Sequence, residues 1–262
     1  MKKLRAFYFS GTGNTKFVTQ YLASKLSSSF DISQYDVMDK ADFSHELSEA
    51  DIIMIAFPIY GSAPPIPIRN FVTANKELFN GKTVAIAETQ YCFSGDGAAS
   101  LGRTLSKYGA DVRYAEHFNM PNNLADGSFF KVRNGDELED IMNKAVRRMD
   151  EFADKIANGK RFKRGFNVAS HAVGYYCQRK WWRRSENLKR SAITINTDKC
   201  IGCGLCAKCC PVENLTIFGG HAHGNGKCVF CYRCVNLCPK KAITLFGREI
   251  ITPYKGIPST KK

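Results

Sequence analysis

A cysteine pattern that occurs twice between residues 200 and 239 places the strongest restriction on this 262-residue chain. The first copy runs from Cys200 to Pro211 and the second from Cys228 to Pro239, each with the spacing C-x2-C-x2-C-x3-C-P. Two residues between cysteines let three thiolates converge from one tight loop. The fourth cysteine precedes proline and points away from its own loop, so it serves the other site. The pattern therefore predicts two sites that exchange their fourth ligands.

The predicted occupants are two [4Fe–4S] clusters, since this is the spacing of cluster-binding thiolates. The first set of ligands is Cys200, Cys203, Cys206 and Cys238, and the second is Cys228, Cys231, Cys234 and Cys210. Structural zinc explains the pattern poorly, because it gives no reason for a third cysteine and a C-P ending, twice. A disulfide framework expects an oxidising compartment, which nothing in the chain indicates. Cys209 lies outside the pattern, and we expect it to be a small buried side chain.

The region from Ala192 to Ile251 resembles a bacterial two-cluster ferredoxin, and these cysteines carry the resemblance. The resemblance implies a small α+β domain with two clusters, which we assign to residues 192–262 together with a polar tail. No other internal repeat is visible in the chain.

A second motif follows the first predicted strand. It is a run of glycine and small polar residues before a helical pattern, made of Ser10, Gly11, Thr12, Gly13, Asn14 and Thr15. Glycines let backbone N–H groups turn inward, the hydroxyls add donors, and the helix N-terminus adds its dipole, so the run predicts an anion site. It is neither the dinucleotide fingerprint nor a P-loop. It closely resembles the phosphate loop of flavodoxins, which implies binding of the FMN 5′-phosphate.

Strand and helix patterns alternate through the first 158 residues, which predicts a parallel α/β domain of three layers. Apolar runs predict five strands, at 3–9, 32–37, 51–57, 82–88 and 111–119. Helical spacing predicts helices at 16–26, 69–78, 98–108 and 136–156. The flavodoxin resemblance implies the strand order 2-1-3-4-5, with FMN beside the ends of the first and third strands.

The same resemblance implies that two further loops flank the isoalloxazine ring. The first contributes Pro58, Ile59, Tyr60 and Gly61, and the second contributes Tyr91, Cys92, Phe93, Ser94, Gly95 and Gly97. Tyr60, Tyr91 and Phe93 are candidates to stack on the ring, or they cover a core edge. The segment 120–123 lies near the ring's outer edge or is a simple exit loop.

The net charge of +14 is concentrated in the second half of the chain. Residues 159–193 hold ten Lys and Arg and a single acidic residue, and form a basic, aromatic connector, assigned to 159–191, between the two domains. A connector must bury something to fix the domain geometry, so we expect its aromatics to pack between the domains and its charges to face water. The alternative is a helix lying on an anionic membrane surface. Nucleic acid is not expected, because no binding motif accompanies the charge.

FMN takes one or two electrons and each cluster passes one, so the sequence predicts electron transfer that couples one-electron and two-electron partners. The alternatives are an FMN-dependent reductase of a small substrate, with Tyr60, Tyr91 or His117 as a proton donor, and a membrane-surface adaptor. The basic surface predicts redox partner proteins with an acidic docking face, guided by Arg179, Lys180, Arg183 and Arg184. No signal peptide is recognised at the start, and clusters favour a reducing cytoplasm, which is the expected location.

Overall fold

The computed structural model describes residues 1–126 and 131–257. Its central feature is a parallel sheet whose strands are β1 (Lys2–Tyr8), β2 (Phe30–Asp36), β3 (Ile52–Pro58), β4 (Thr83–Gln90), β5 (Asp111–Asn119) and β6 (Phe162–Lys163). The strand order is β2-β1-β3-β4-β5-β6. The predicted flavodoxin-like order of the first five strands is confirmed. The sixth, two-residue strand was not predicted, and it places residues of the proposed connector on the edge of the sheet beside Tyr114 and Ala115.

Helices cover both faces of this sheet. They are α1 (Asn14–Leu26), α2 (Ser44–Glu49), α3 (Ile66–Ala74), α4 (Gly97–Lys107) and α5 (Gly135–Ala157). Strand β3 is buried along nearly its whole length, as its unbroken apolar run predicts for a strand covered on both sides. One core cluster packs α2, α3 and α4 against one face, and a second packs α1 and α5 against the other.

The C-terminal region contains two small antiparallel sheets and two short helices. Strand β7 (Ile193–Ile195) pairs with β10 (Ile243–Leu245), and β8 (Leu215–Phe218) pairs with β9 (His221–Gly224). Helices α8 (Leu205–Cys209) and α9 (Arg233–Leu237) carry cysteines of the two copies of the pattern. The predicted small α+β domain beside the larger α/β domain is confirmed.

The connector is helical for most of its length. It consists of α6 (Val168–Ala172), a π-helical segment (Val173–Arg179) and α7 (Lys180–Lys189). The wider π-helical turns lie where Gly174 meets the backbone of Gly95, with no room for a side chain between them. Within the described residues, no helix is both long enough and apolar enough to cross a membrane.

Candidate flavin and cluster sites

A cavity of about 570 Å³ opens at the carboxyl edge of the parallel sheet. Residues from both domains and from the connector line it. The sheet loops contribute Ser10, Gly11, Thr12, Asn14, Thr15, Pro58, Ile59, Tyr60, Gly61, Thr89, Gln90, Tyr91 and residues 120–124. The other wall consists of Trp182 and Lys189 from α7 and of Phe230, Tyr232, Phe246 and Arg248 from the small domain. The cavity therefore lies between the domains.

The loop from Ser10 to Thr15 has the geometry of an anion cradle. The Ser10 hydroxyl oxygen accepts hydrogen bonds from the backbone N–H groups of Gly13 and Lys16, both at 3.2 Å. The buried hydroxyls of Thr15 and Thr89 share a hydrogen bond of 2.7 Å, which ties the loop to β4. Backbone donors at the start of α1 suit a phosphate because the helix dipole also favours negative charge there.

Segment 120–124 and the C-terminal stretch hold this loop from the outside. Asn14 donates to the Pro121 carbonyl at 2.8 Å and accepts from the Tyr254 hydroxyl at 2.5 Å. Asn123 donates to the Thr12 hydroxyl at 2.8 Å. Tyr254 belongs to the polar tail of the second domain, yet it is only 4% exposed and packs against this loop. Segment 120–124 lines the cavity and is more than an exit loop.

The loop 58–61 forms the middle of the cavity. Gly61 has a φ of +53° and lies under the Trp182 side chain, where no Cβ could fit. The Tyr60 hydroxyl is buried and has no hydrogen-bond partner within the described residues. Burial, together with nearby Cys231 and Cys228, raises the pKa of Tyr60 well above its usual value, so the hydroxyl keeps its proton. An unpaired donor in a cavity of this size fits a ligand with polar ring atoms, as FMN has.

The loop 89–97 divides into two parts. Tyr91 lines the cavity, whereas Cys92 is exposed and Phe93 is 55% exposed; neither lines it. Ser94, Gly95 and Gly97 also lie outside the cavity lining. Ser94 is buried, and its carbonyl accepts a hydrogen bond from the Ser62 hydroxyl. The part beyond Phe93 therefore supports the connector, and its predicted role at the flavin's polar edge stays a prediction.

The connector is fastened to this loop through a buried carboxylate. Asp96 is fully buried and pairs with Arg179 at 2.6 Å, with Arg103 at 2.5 Å and with His171 at 2.8 Å. Burial alone would raise the pKa of Asp96, but hydrogen bonds from these three groups outweigh it and hold the pKa below its usual value. Arg179 also donates to the Ser62 carbonyl at 2.9 Å. The expectation that Arg179 faces water is wrong, since its side chain is buried.

The eight pattern cysteines gather into two groups of four. One small cavity is lined by Cys200, Cys203, Cys206 and Cys238, and another by Cys210, Cys228, Cys231 and Cys234. These are the two sets that the spacing predicts, including the exchange of the fourth cysteine. Four thiols around each cavity fit an iron–sulfur cluster, which supplies one-electron redox chemistry when bound. Within the described residues, no three His, Cys, Asp or Glu side chains form a site for a single metal ion.

Cys209 does not line either cavity. Its thiol donates to the Cys206 carbonyl at 3.5 Å. Burial raises the pKa of Cys209 to about 11, so the residue remains a thiol in the small domain's interior.

The group that contains Cys231 lies directly behind the cavity between the domains, which we call the flavin cavity after its predicted ligand. Phe230 and Tyr232, its neighbours in sequence, both line that cavity with left-handed backbones. The Cys231 carbonyl also packs against Gly11, so closely that a Cβ on Gly11 would collide with it. Cys203 of the other group is exposed at the surface. We therefore refer to the proximal group, which contains Cys231, and the distal group, which contains Cys203.

Arg233 joins the proximal group to the phosphate loop. Its guanidinium donates to the carbonyls of Ser10 at 2.7 Å and Gly11 at 2.9 Å, and to that of Cys209 at 3.1 Å. One side chain of the small domain thus fixes the backbone of the anion cradle and places a positive charge beside it. Sequence reasoning missed this residue because its partners lie more than 220 positions away.

A second buried carboxyl, Glu88, lies next to His117 outside the cavity. The two side chains approach within 3.7 Å, and both are almost completely buried. Burial raises the pKa of Glu88 to about 8 and lowers that of His117 to about 4. His117 does not line the cavity, so the structure does not bring it to the place that a proton donor to a bound substrate would need.

Comparison with known proteins agrees with this arrangement. A family model for the flavodoxin domain matches residues 6–157, and a model for the 4Fe-4S dicluster domain matches residues 192–239. The chain belongs to the flavodoxin family. It carries a flavodoxin domain followed by an iron–sulfur domain, which together support FMN and iron–sulfur clusters as cofactors and a role in electron transfer.

Several solved structures, flavodoxins among them, are similar to part of the chain. The two-electron reduced flavodoxin of Megasphaera elsdenii is 19% identical, with 55% of this chain and 98% of that one covered and a TM-score of 0.41. The Fusobacterium nucleatum flavodoxin bound to flavin mononucleotide is 18% identical, with 61% and 99% covered and a TM-score of 0.44. Rubredoxin oxygen:oxidoreductase from Desulfovibrio gigas is 17% identical, with 61% and 37% covered and a TM-score of 0.43. No curated protein matches the chain.

Proposed function

We propose that this flavodoxin-family protein passes electrons between a redox partner and FMN through two [4Fe–4S] clusters, and so couples one-electron to two-electron carriers. One observation carries the proposal. The wall of the flavin cavity is built from the residues on either side of Cys231, a cysteine of the proximal group. FMN bound in this cavity would lie against the backbone that holds a cluster, an arrangement that favours direct electron exchange.

The roles of this chain's own residues follow from their positions. Ser10, Thr12 and the backbone N–H groups at the start of α1 would bind the FMN phosphate, and the Tyr60 hydroxyl would donate to the ring system. Trp182 and Phe230 would exclude water from the cluster side of the cavity, where their rings meet edge to face at 5.1 Å. FMN supplies the capacity to hold one or two electrons.

We place the docking site of the redox partner at the distal group. Cys203 is exposed, and apolar side chains that line the distal cavity with it also face solvent, namely Ile201, Leu205 and Ile217. Lys240 lines the distal cavity, and the exposed Lys208 lies on α8 beside the cysteines. An apolar centre with a lysine border fits a partner that presents an acidic face. We propose a cytoplasmic location from the cluster cysteines, which require reducing conditions.

The first test is the cofactor content of anaerobically prepared protein. It should contain close to eight iron atoms and one FMN per chain, because two four-iron clusters and one phosphate loop are encoded. Stoichiometric zinc with little iron would remove the cluster assignment, and FAD in place of FMN would remove the phosphate-loop assignment.

The second test follows electron flow by stopped-flow spectroscopy with an acidic ferredoxin-type donor. Lys208→Gln with Lys240→Gln should slow flavin reduction at low salt, and the difference should fade as screening shortens the field to about 10 Å near 0.1 M salt. Reduction by dithionite, a small dianion, is the control and should change less. Equal rates for wild type and variant at low salt would place docking elsewhere.

A second candidate, reduction of a small anionic substrate at the flavin, is supported by a neighbouring cleft of about 660 Å³. Tyr91 and Met120 line both this cleft and the flavin cavity. Its remaining lining includes Lys144, Arg147, Arg148 and Arg164. The test is anaerobic oxidation of the reduced protein by small carboxylates. This function is favoured if Arg147→Gln raises the KM for the carboxylate and leaves oxidation by protein acceptors unchanged.

A further inference from the structure

The connector helix presents its polar face to the protein and its apolar face to solvent. Positions that recur about every four residues point inward and are buried or half-buried, namely Gly174, Gln178, Trp182 and Glu186. The opposite positions form an outer stripe of exposed side chains, namely Val173, Cys177, Trp181 and Leu188, with Tyr176 beside it. The expectation that the connector's aromatics pack between the domains therefore holds for Trp182 and fails for Trp181 and Tyr176.

The outer stripe projects far into solvent. Trp181 is 63% exposed, Tyr176 is 62% exposed and Leu188 is 82% exposed. Side chains of this size and polarity are rarely left together in water, and an apolar patch bordered by polar residues marks an interaction surface. The stripe is also held rigidly, because the inward residues Arg179 and Glu186 form ion pairs with Asp96 at 2.6 Å and with Arg69 at 2.7 Å.

The charges beside the stripe are all positive. The half-buried Lys180 and the exposed Arg184 form no ion pair with a carboxylate in the described part of the chain, and the Arg184 guanidinium lies 6.0 Å from the centre of the Trp181 ring. Glu186, the single acidic residue between 159 and 193, faces inward and is 6% exposed. The outer face therefore combines Trp, Tyr, Leu and Val with uncompensated cations and carries no negative charge.

This combination fits a phospholipid surface better than a protein partner. Trp and Tyr rings are favoured at the boundary between headgroups and acyl chains, and Lys and Arg are attracted to anionic headgroups. A protein partner would need complementary pockets for side chains that stand this far from the surface. We propose that the outer face of the connector binds the surface of an anionic membrane, so that the protein associates peripherally with the bilayer. This proposal is independent of the electron-transfer route.

The test uses the full-length holoprotein and two kinds of vesicle, phosphatidylcholine with phosphatidylglycerol and phosphatidylcholine alone. Sedimentation with the vesicles should be strong for the first kind and weak for the second. Lys180→Gln with Arg184→Gln should lower the affinity about 25-fold, since each cation near an anionic surface contributes about fivefold. Lys2→Gln with Lys107→Gln removes the same charge from the flavodoxin domain and should change little.

The two tryptophans allow a second measurement, since Trp181 faces outward and Trp182 faces the flavin cavity. Vesicles should shift the fluorescence of the Trp182→Phe protein, which retains Trp181, to shorter wavelength. They should not shift that of the Trp181→Phe protein. The flavin absorbance spectrum checks that each variant is folded.

Two outcomes would overturn the proposal. One is equal binding by wild type and a Trp181→Ser, Leu188→Ser variant. The other is no vesicle binding at all. If, in that case, an acidic protein donor also reduced the Lys180, Arg184 variant more slowly than wild type, the outer face of the connector would belong to a protein partner.

Discussion

Arg233 provides a sharp test of how the two domains build the flavin site. Its guanidinium holds the carbonyls of Ser10 and Gly11, which belong to the phosphate loop. A hydrogen bond from a charged donor contributes about 1.5 to 3 kcal/mol. The hydroxyl of Ser10 keeps the loop partly ordered without Arg233. We therefore expect removal of the Arg233 guanidinium to cost FMN binding about 1.5 to 3 kcal/mol, the value of one such bond. This corresponds to a roughly 10- to 100-fold rise in the Kd for FMN.

The assay is a titration of flavin-free protein, with its clusters intact, followed by quenching of flavin fluorescence. Arg233→Met should bind FMN with the higher Kd. Riboflavin, which lacks the phosphate, should bind wild type and variant with Kd values within about threefold, since the phosphate is what the loop recognises. Lys208→Met, an exposed cation of the same domain, is the matched control and should bind FMN normally.

Iron content must be measured in the same samples, because Arg233 also donates to the Cys209 carbonyl. An Arg233→Met protein with full iron and an unchanged Kd for FMN would refute the reasoning. Equal losses for FMN and riboflavin would show that the residue shapes the whole cavity and not the phosphate loop.

Three further predictions concern the cluster cysteines and the buried carboxyl groups. Cys234→Ser should lower FMN affinity together with iron content, whereas Cys203→Ser should cost similar iron and leave FMN bound; equal effects on FMN would contradict the proximal and distal positions. Asp96→Asn leaves the buried Arg179 guanidinium without a counter-charge and should cost about 3 kcal/mol of unfolding free energy in urea. Between about pH 4.5 and 8 the Glu88 carboxyl, with its pKa near 8, is protonated in the folded state and ionised in the unfolded state. The free energy of unfolding therefore falls as the pH rises through that range. His117, with its pKa near 4, offsets this fall up to pH 6.5, because only the unfolded state protonates its imidazole there. Between pH 6.5 and 8 the free energy of unfolding of the wild type should fall by about 2 kcal/mol. Glu88→Gln should remove that decline in urea unfolding midpoints measured across the range.

The sequence was informative wherever the chemistry is local. The phosphate loop, the alternation of strands and helices and the two cysteine groups depend on residues close together in the chain. Their geometry follows from backbone freedom, hydrophobic periodicity and thiol spacing. The strand order followed from a resemblance carried by six residues, Ser10 to Thr15.

The sequence was uninformative where distant segments pack together. The cluster side of the flavin cavity includes Trp182, Phe230, Tyr232 and Phe246, and no spacing pattern in the flavodoxin domain points to them. Arg179 illustrates the difficulty. It stands in a run of exposed cations in the sequence, yet its partner Asp96 lies 83 positions earlier, and this pair buries the charge. The expectation of a buried aromatic also fails for Trp181, because the protein covers the opposite side of this helix.

The burial of the connector's polar face explains how one chain can keep a cluster and a flavin at a fixed separation. Arg179 pairs with Asp96 in the loop that follows β4, and Glu186 pairs with Arg69 on α3. Trp182 packs between Gly61 and Phe230. These two directional ion pairs resist sliding more strongly than an apolar interface would. Electron transfer depends steeply on the distance between carriers. The proposed route from the distal to the proximal cluster and on to FMN therefore requires contacts that hold the domains in place at the interface that contains Cys231. The outer face of the connector takes no part in these contacts and is therefore available for the membrane contact that we propose.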